Sequence, residues 1–303
     1  MVANWRRWLL ALGLAALTVT VRAAEPRARI VREETPIAKQ TAELVIADLS
    51  RRGWNVTEAV IGPDGAPSET RFAGDTMLVA LGSRALATLP KSIGGATAVA
   101  ALVTRSALEE MPQSDRWSAI ILDQPAERWA NLIQLAFAGR MATAGLLLGA
   151  FNTKSMPLLQ RKFQERQLTL VEERVVATDE VVPALDRLLP RVSVLLALPD
   201  PMVHNRATVQ ALLLTTYRAG VPVVAYSESY LQAGAVIALY STASQISAQV
   251  VETLLQLREG RPAAAIQAPR YFTVGVNATV ARSLGLPLPS GGELKERLRA
   301  AEQ

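Results

Sequence analysis

Short apolar runs alternate with longer amphipathic stretches along most of the chain. The runs TMLVAL (76–81), TAVAALV (97–103), WSAIIL (117–122) and ATAGLLL (142–148) are near-continuous rather than alternating, and LTLVEERVV (168–176), VSVLLAL (192–198) and VPVVAY (221–226) continue the series. Such runs suit strands buried on both faces of a parallel sheet. Helical patterns lie between them. Thr35-Pro36 offers an N-cap and a proline at the first helical position, Ala38, Ala42, Val45 and Leu49 form one stripe, and Gly53 ends it. The stretches 125–140 and 202–220 read the same way. Ile246, Val250, Leu254 and Leu257 mark another helix, stopped by Gly260 and Pro262. The alternation predicts an α/β fold with doubly wound parallel sheets and right-handed crossovers.

Each apolar run closes on a polar or small cluster: Gly82-Ser83, Asp123-Gln124, Asn152-Thr153, Asp200 and Ser227-Glu228-Ser229. In open parallel sheets ligands bind beyond the carboxyl ends of the strands. Each cluster alone is equally a helix cap, but their recurrence at strand ends predicts a shared pocket. The stretch VLLALPDPMVHN (194–205) is the most pointed case. Pro199 and Pro201 restrict the backbone on both sides of Asp200. Its carboxylate is suited to a ligand amine, and equally to capping a helix that begins at Met202.

Composition narrows the chemistry. Arg6 and Arg7, an apolar run from Trp8 to Val21, and the small-residue pattern Val21-Arg22-Ala23 have the layout of a secretory signal (1–23), with cleavage expected after Ala23. An uncleaved N-terminal anchor is the alternative. There is no cysteine, which excludes disulfides, thiol catalysis, cysteine-based zinc sites and a lipid-modified N-terminal cysteine. Of 32 Lys and Arg residues, three lie in the leader, so 29 face 27 Asp and Glu in the expected mature chain, a net of +2. These charges are interspersed, and no basic stripe with interleaved aromatics predicts nucleic-acid binding. A Ser–His–Asp arrangement would have to use His204, the only histidine, which reads as a surface or capping residue near the start of the 202–220 helix. No acidic or histidine cluster has metal-ligand spacing, and LGSRALAT (81–88) is too short for a phosphate loop. No enzyme activity, cofactor or metal is expected.

From about Asp123 onward the chain resembles the substrate-binding proteins of ABC transporters with a type I periplasmic-binding fold, in the branch that includes tryptophan and tyrosine binders. The resemblance is carried by LPDPMVHN, then GVPVVAYSESYLQAGAVIALYS (220–241), then NATVARSLGLPLP (277–289); the first half matches chiefly through LVALGSRALATL (78–89). It implies two α/β lobes joined by a multi-crossover hinge that close on a solute. The crossovers are expected near Asp123, near Tyr226 and between Arg258 and Tyr271. The first lobe would hold 24–122 plus 227–258, the second 123–226 plus 259–289, and 290–303 would be a tail. The strand ARIVREE (28–34) reads as weak for the interior of a sheet. The candidate ligand contacts are Gly82, Ser83, Asp123, Asn152, Asp200, Tyr226, Ser227 and Glu228. Gly82 and Ser83, at a helix start, would face an anionic end of the solute. Glu228, Asp200 and the Glu33-Glu34 loop favour a cationic or amine-bearing one, so the solute is expected to be a small polar molecule, an amino acid or an amine-bearing solute. Expected partners are a small-molecule solute and an inner-membrane ABC permease with its ATPase, with the receptor a periplasmic monomer. The alternative is a ligand-free or ligand-sensing interaction protein of the cell envelope on the same fold.

Overall fold

The structure, a computed structural model, describes residues 25–62, 76–89, 96–108, 117–149 and 155–302. The expected leader and Asn152 lie outside them. Chain order begins with β1 (Arg27–Glu33), α1 (Pro36–Arg51), β2 (Asn55–Ile61), β3 (Thr76–Leu81), α2 (Ser83–Thr88), β4 (Ala98–Val103), α3 (Arg105–Leu108) and β5 (Trp117–Ile121). It continues with α4 (Ala126–Phe137), β6 (Thr143–Leu148), α5 (Met156–Glu165), β7 (Thr169–Arg174), α6 (Val181–Leu188) and β8 (Val194–Leu196). Then come α7 (Val209–Arg218), β9 (Val223–Ala225), α8 (Glu228–Ala233), β10 (Ile237–Tyr240), α9 (Ala243–Arg258) and β11 (Ile266–Gln267). Last are β12 (Thr273–Val276), α10 (Ala278–Ser283) and α11 (Gly291–Ala301).

These strands form two six-stranded sheets, ordered β11-β5-β4-β3-β1-β2 and β12-β10-β9-β8-β6-β7. The described pairings are parallel apart from β12, which runs antiparallel to β10. Both faces of each sheet carry a core, which explains the continuous apolar runs. In β3, Val79 and Leu81 pack with α1 and α9, while Leu78 and Ala80 pack with α2 on the other face.

Local chemistry sets the helices. Thr35 Oγ1 accepts from Ala38 N at 3.4 Å, Pro36 opens α1, and Ala38, Ala42, Val45 and Leu49 are buried as predicted. Gly53 then takes φ +78°, which favours glycine. A capping box between Thr242 and Gln245 starts α9. Its Ile246, Val250 and Leu254 join the α1 side of the first core.

Four expectations are corrected. β1 lies inside its sheet, paired to both β2 and β3, because Arg32 meets Glu58 of β2 and Glu33 meets a backbone amide, leaving Ala28, Ile30 and Val31 to the core. The return to the first sheet falls after Tyr240 rather than at Tyr226. The segment after Tyr226 is an ordinary strand-to-helix turn, and β10 still belongs to the second sheet beside β9. The next crossover follows Gln267, inside the expected span from Arg258 to Tyr271, but because β11 pairs with β5 the first lobe runs on to Gln267 rather than ending at 258. The segment 290–303 is no loose tail: α11 buries Leu294 and Leu298 in the second lobe's core. Gly291 sits so close to the Val274 carbonyl that a Cβ would stand 2.2 Å from its oxygen.

The three crossovers are cross-linked. Gln124 Nε2 donates to Ser241 Oγ at 3.3 Å, and Ser241 Oγ donates to the Tyr271 carbonyl at 2.7 Å. Arg128, 4% exposed, donates to Gln124 Oε1 at 2.6 Å and to the Pro269 carbonyl at 3.0 Å. It forks onto both carboxylate oxygens of Glu302 and lies 4.0 Å from the centre of the Phe272 ring. Gln249 holds the third crossover by its Ala268 carbonyl at 3.1 Å and its Arg270 amide at 2.9 Å.

Candidate functional site

The strand ends carry carboxylates, and each of three is held by backbone N–H groups. Asp200 is 2% exposed. Its Oδ2 accepts from Gly149 N and its Oδ1 from Met202 N, both at 3.1 Å. A Cβ at position 149 would stand 2.7 Å from that carboxylate, so only glycine fits beneath it. The bond to Met202 N closes an Asx turn, which competes with helix. Asn205 makes another, accepting from Ala207 N at 2.9 Å. Consequently α7 starts at Val209, with Thr208 at its N-cap position, and Asp200 is not its cap. The expectation of a helix from Met202 is corrected.

Behind Asp200 lies an aromatic cluster. His204 is 8% exposed, so its reading as a surface or capping residue is also corrected. Its Nδ1 lies 2.7 Å from the Tyr230 hydroxyl, and its ring packs 5.9 Å from Tyr226 and 5.5 Å from Tyr230, centre to centre. Burial in this apolar nest lowers the His204 pKa to about 3. Burial raises that of the Tyr226 hydroxyl, and the Asp200 charge adds to the effect. Ser227 caps α8 by accepting from Tyr230 N at 3.3 Å. Glu228 is exposed and bonded to the Tyr240 hydroxyl, whose pKa rises through burial first and Glu228 second.

In the first lobe Gly82, at φ +111°, opens α2. The Glu33 carboxylate lies against it, within 2.4 Å of where a Cβ would be, and its Oε1 accepts from Arg84 N at 2.7 Å. The short helix start assigned to an anionic ligand group is therefore filled by the protein's own carboxylate, with Ser83 half-buried beside it. Asp123 repeats the device, with Oδ2 accepting from Arg105 N at 2.8 Å. Burial pushes the Asp123 pKa up, against the lowering effect of its backbone hydrogen bonds and the Arg105 charge. A register shift between Ala101 and Val103, with Leu102 at φ +58°, lies just before Arg105, whose amide meets Asp123.

A cavity of about 330 Å³ lies where the two lobes meet at the hinge. Ile121, Trp129, Leu158, Leu159 and Leu198 supply apolar wall; Arg105, Asp123, Gln124, Ser155 and Lys162 supply polar groups. Lys162 is paired with Glu165 at 2.8 Å. Of the nominated residues described, Asp123 lines the cavity. Asp200 stands one position behind its Pro199 wall, while Gly82, Ser83, Tyr226, Ser227 and Glu228 do not line it. Sequence reasoning missed Arg105, Trp129, Ser155 and Lys162. The signal for the last two was the helix that starts just after the Asn152-Thr153 cluster. An open groove of about 770 Å³, lined by the second lobe alone, runs along α10 and 285–291. Among the described residues no group of three or more His, Asp or Glu is arranged to hold a metal.

No protein-family model matches the chain, and no curated protein sequence does. Solved structures do. A conserved domain protein from Vibrio cholerae is similar over 90% of this chain and 98% of its own, at 18% identity and TM-score 0.63. An ABC domain from Streptococcus pneumonia in complex with L-Trp is similar over 90% and 98%, at 12% identity and TM-score 0.64. The ligand-free, open structure of a substrate binding protein with adhesive properties from Clostridium difficile is similar over 88% and 96%, at 14% identity and TM-score 0.68. At these identities the likeness is one of fold. The chain has the type I periplasmic-binding fold seen in substrate-binding proteins of ABC transporters.

Proposed function

We propose that the chain is a solute receptor. It holds a small polar molecule, an amino acid or another amine-bearing solute, between its lobes and passes it to an inner-membrane ABC permease driven by an ATPase. One observation carries this reading: the cavity at the hinge is walled by both lobes and contains a half-buried carboxylate, Asp123. Hinge closure would shrink such a cavity around its contents. The L-Trp complex among similar structures supports the same use of the fold. The remaining nominated contacts, Asn152, Asp200, Tyr226, Ser227, Glu228, Gly82 and Ser83, would act at the rim or on closure. The receptor would work as a periplasmic monomer after loss of residues 1–23. In support, among the described residues no helix is long and apolar enough to cross a membrane.

A second reading, an envelope interaction protein without a solute, draws on the self-occupied donors at Glu33 and Asp200. Native mass spectrometry of the protein from the periplasm separates the two. A bound small molecule that is displaced on denaturation supports the receptor. Bare protein, with no thermal shift across a panel of amines, amino acids and sugars, sinks it. N-terminal sequencing of the same sample should begin at Ala24.

A further inference from the structure

Resting on the receptor reading, we infer that the hinge cavity selects an apolar or aromatic amine that lacks a carboxylate, with Asp123 as the residue that receives the ammonium. A free α-amino acid presents two charges, and a site for it must offer donors to the carboxylate as well as an acceptor to the amine. Among the described residues, the backbone donors that face the carboxylates at three strand ends are already taken by the protein. Arg84 N serves Glu33, Arg105 N serves Asp123, and Gly149 N and Met202 N serve Asp200. A ligand carboxylate brought to any of these positions would displace, and be repelled by, a carboxylate in place.

The cavity's own charges point the same way. Asp123 borders the apolar wall formed by Ile121, Trp129, Leu158 and Leu198. Its described hydrogen-bond donors are the Arg105 amide and its own backbone N–H, and a carboxylate has about four acceptor sites. Burial disfavours its charge, so a ligand ammonium would relieve a cost already present. Lys162 is turned to Glu165 and, at 4.0 Å, to Glu127. Among the described residues that line the cavity, Arg105 is the other cation, and it is exposed beside Asp123, whose charge it opposes.

Calorimetric titration of the full chain with two matched pairs tests this: tryptamine against tryptophan, and tyramine against tyrosine. The members of each pair differ only in the carboxylate. The amine should bind at least about tenfold more tightly in at least one pair, and Asp123→Asn should weaken that binding by about tenfold or more. Asn keeps an oxygen for Arg105 N, and circular dichroism would confirm that the variant is folded. Arg105→Gln removes a like charge and should tighten amine binding severalfold. Equal or tighter binding of the amino acids, lost in Arg105→Gln, would overturn the inference. So would failure of both pairs while a sugar or another neutral solute shifts the melting temperature, an outcome that leaves the receptor reading standing. A chain that binds no solute of any class defeats both.

Discussion

The hinge and the strand ends solve the same problem, buried polar groups, in opposite ways. At the hinge, long side chains reach out from helices to three carbonyls of the third crossover: Arg128 from α4 to Pro269, Gln245 and Gln249 from α9 to Phe272 and Ala268. At the strand ends, carboxylates are pulled in by backbone N–H groups of a neighbouring loop, at Gly149, and of helix starts, at Arg84 and Arg105. The hinge tolerates a cation because a carboxylate and an aromatic face complete its shell. The strand ends tolerate anions because the donors are part of the chain itself. The contrast teaches that donors at strand ends, the usual resource for an anionic ligand, are here part of the scaffold.

The largest test of the comparison is at Arg128. Arg128→Ala leaves Gln124, the Pro269 carbonyl and the Glu302 carboxylate without their shared partner. Arg128 is the buried partner, and each buried group it leaves unsatisfied costs about 1–3 kcal/mol, a loss that a urea midpoint would register. Glu302 is partly exposed, so Glu302→Gln should cost clearly less. Equal losses would show that α11, not the hinge, is what Arg128 holds.

His204 gives the next effect, and its sign is fixed by burial. Its pKa falls from 6.5 to about 3 in the folded chain. Between those values the unfolded chain binds the extra proton, so the stability is fully present above pH 6.5 and is lost as pH falls toward 3. From pH 6.5 to pH 4 the loss is about 3 kcal/mol at 1.36 kcal/mol per unit. Denaturant midpoints over this range should fall less steeply in His204→Phe. Parallel slopes would mean that acid acts elsewhere.

Much of the fold was legible because a strand buried on both faces leaves a continuous apolar run, as Leu78–Val79–Ala80–Leu81 does. β1 was not, because its charges are balanced by residues distant in sequence, Glu58 and the Arg84 amide. The crossover was misplaced because one more strand of the second sheet, the four-residue β10, hides in an alanine-rich segment beyond α8, whose start Ser227 caps. At the site, the polar strand ends could be read but their partners could not. Asp200 and Gly149 are 51 positions apart, and Asp123 and Arg105 are 18 apart. Nothing local distinguishes a carboxylate awaiting a ligand from one already held by a neighbouring loop.

Asp200→Asn follows in size. Asn has one oxygen where Asp200 uses two, so either the Gly149 or the Met202 amide loses its acceptor. An unsatisfied buried donor costs about 2 kcal/mol, and the melting temperature should drop. An unchanged melting temperature would show that these amides do not depend on both Asp200 oxygens and blur the contrast with the hinge.

The smallest effect is expected at Gln249, on the hinge side of the comparison. Its side chain is 1% exposed, but Ala268 and Arg270, whose carbonyl and amide it serves, are exposed. Water can take over at those two groups once the side chain is gone, as it cannot around Arg128. Gln249→Ala should therefore cost only about 1 kcal/mol, while hydrogen exchange at the Arg270 amide quickens by more than global stability accounts for. If exchange there follows global unfolding alone, Gln249 does not restrain the third crossover. The hinge would then be held by Arg128 together with the Gln124–Ser241–Tyr271 chain of hydrogen bonds.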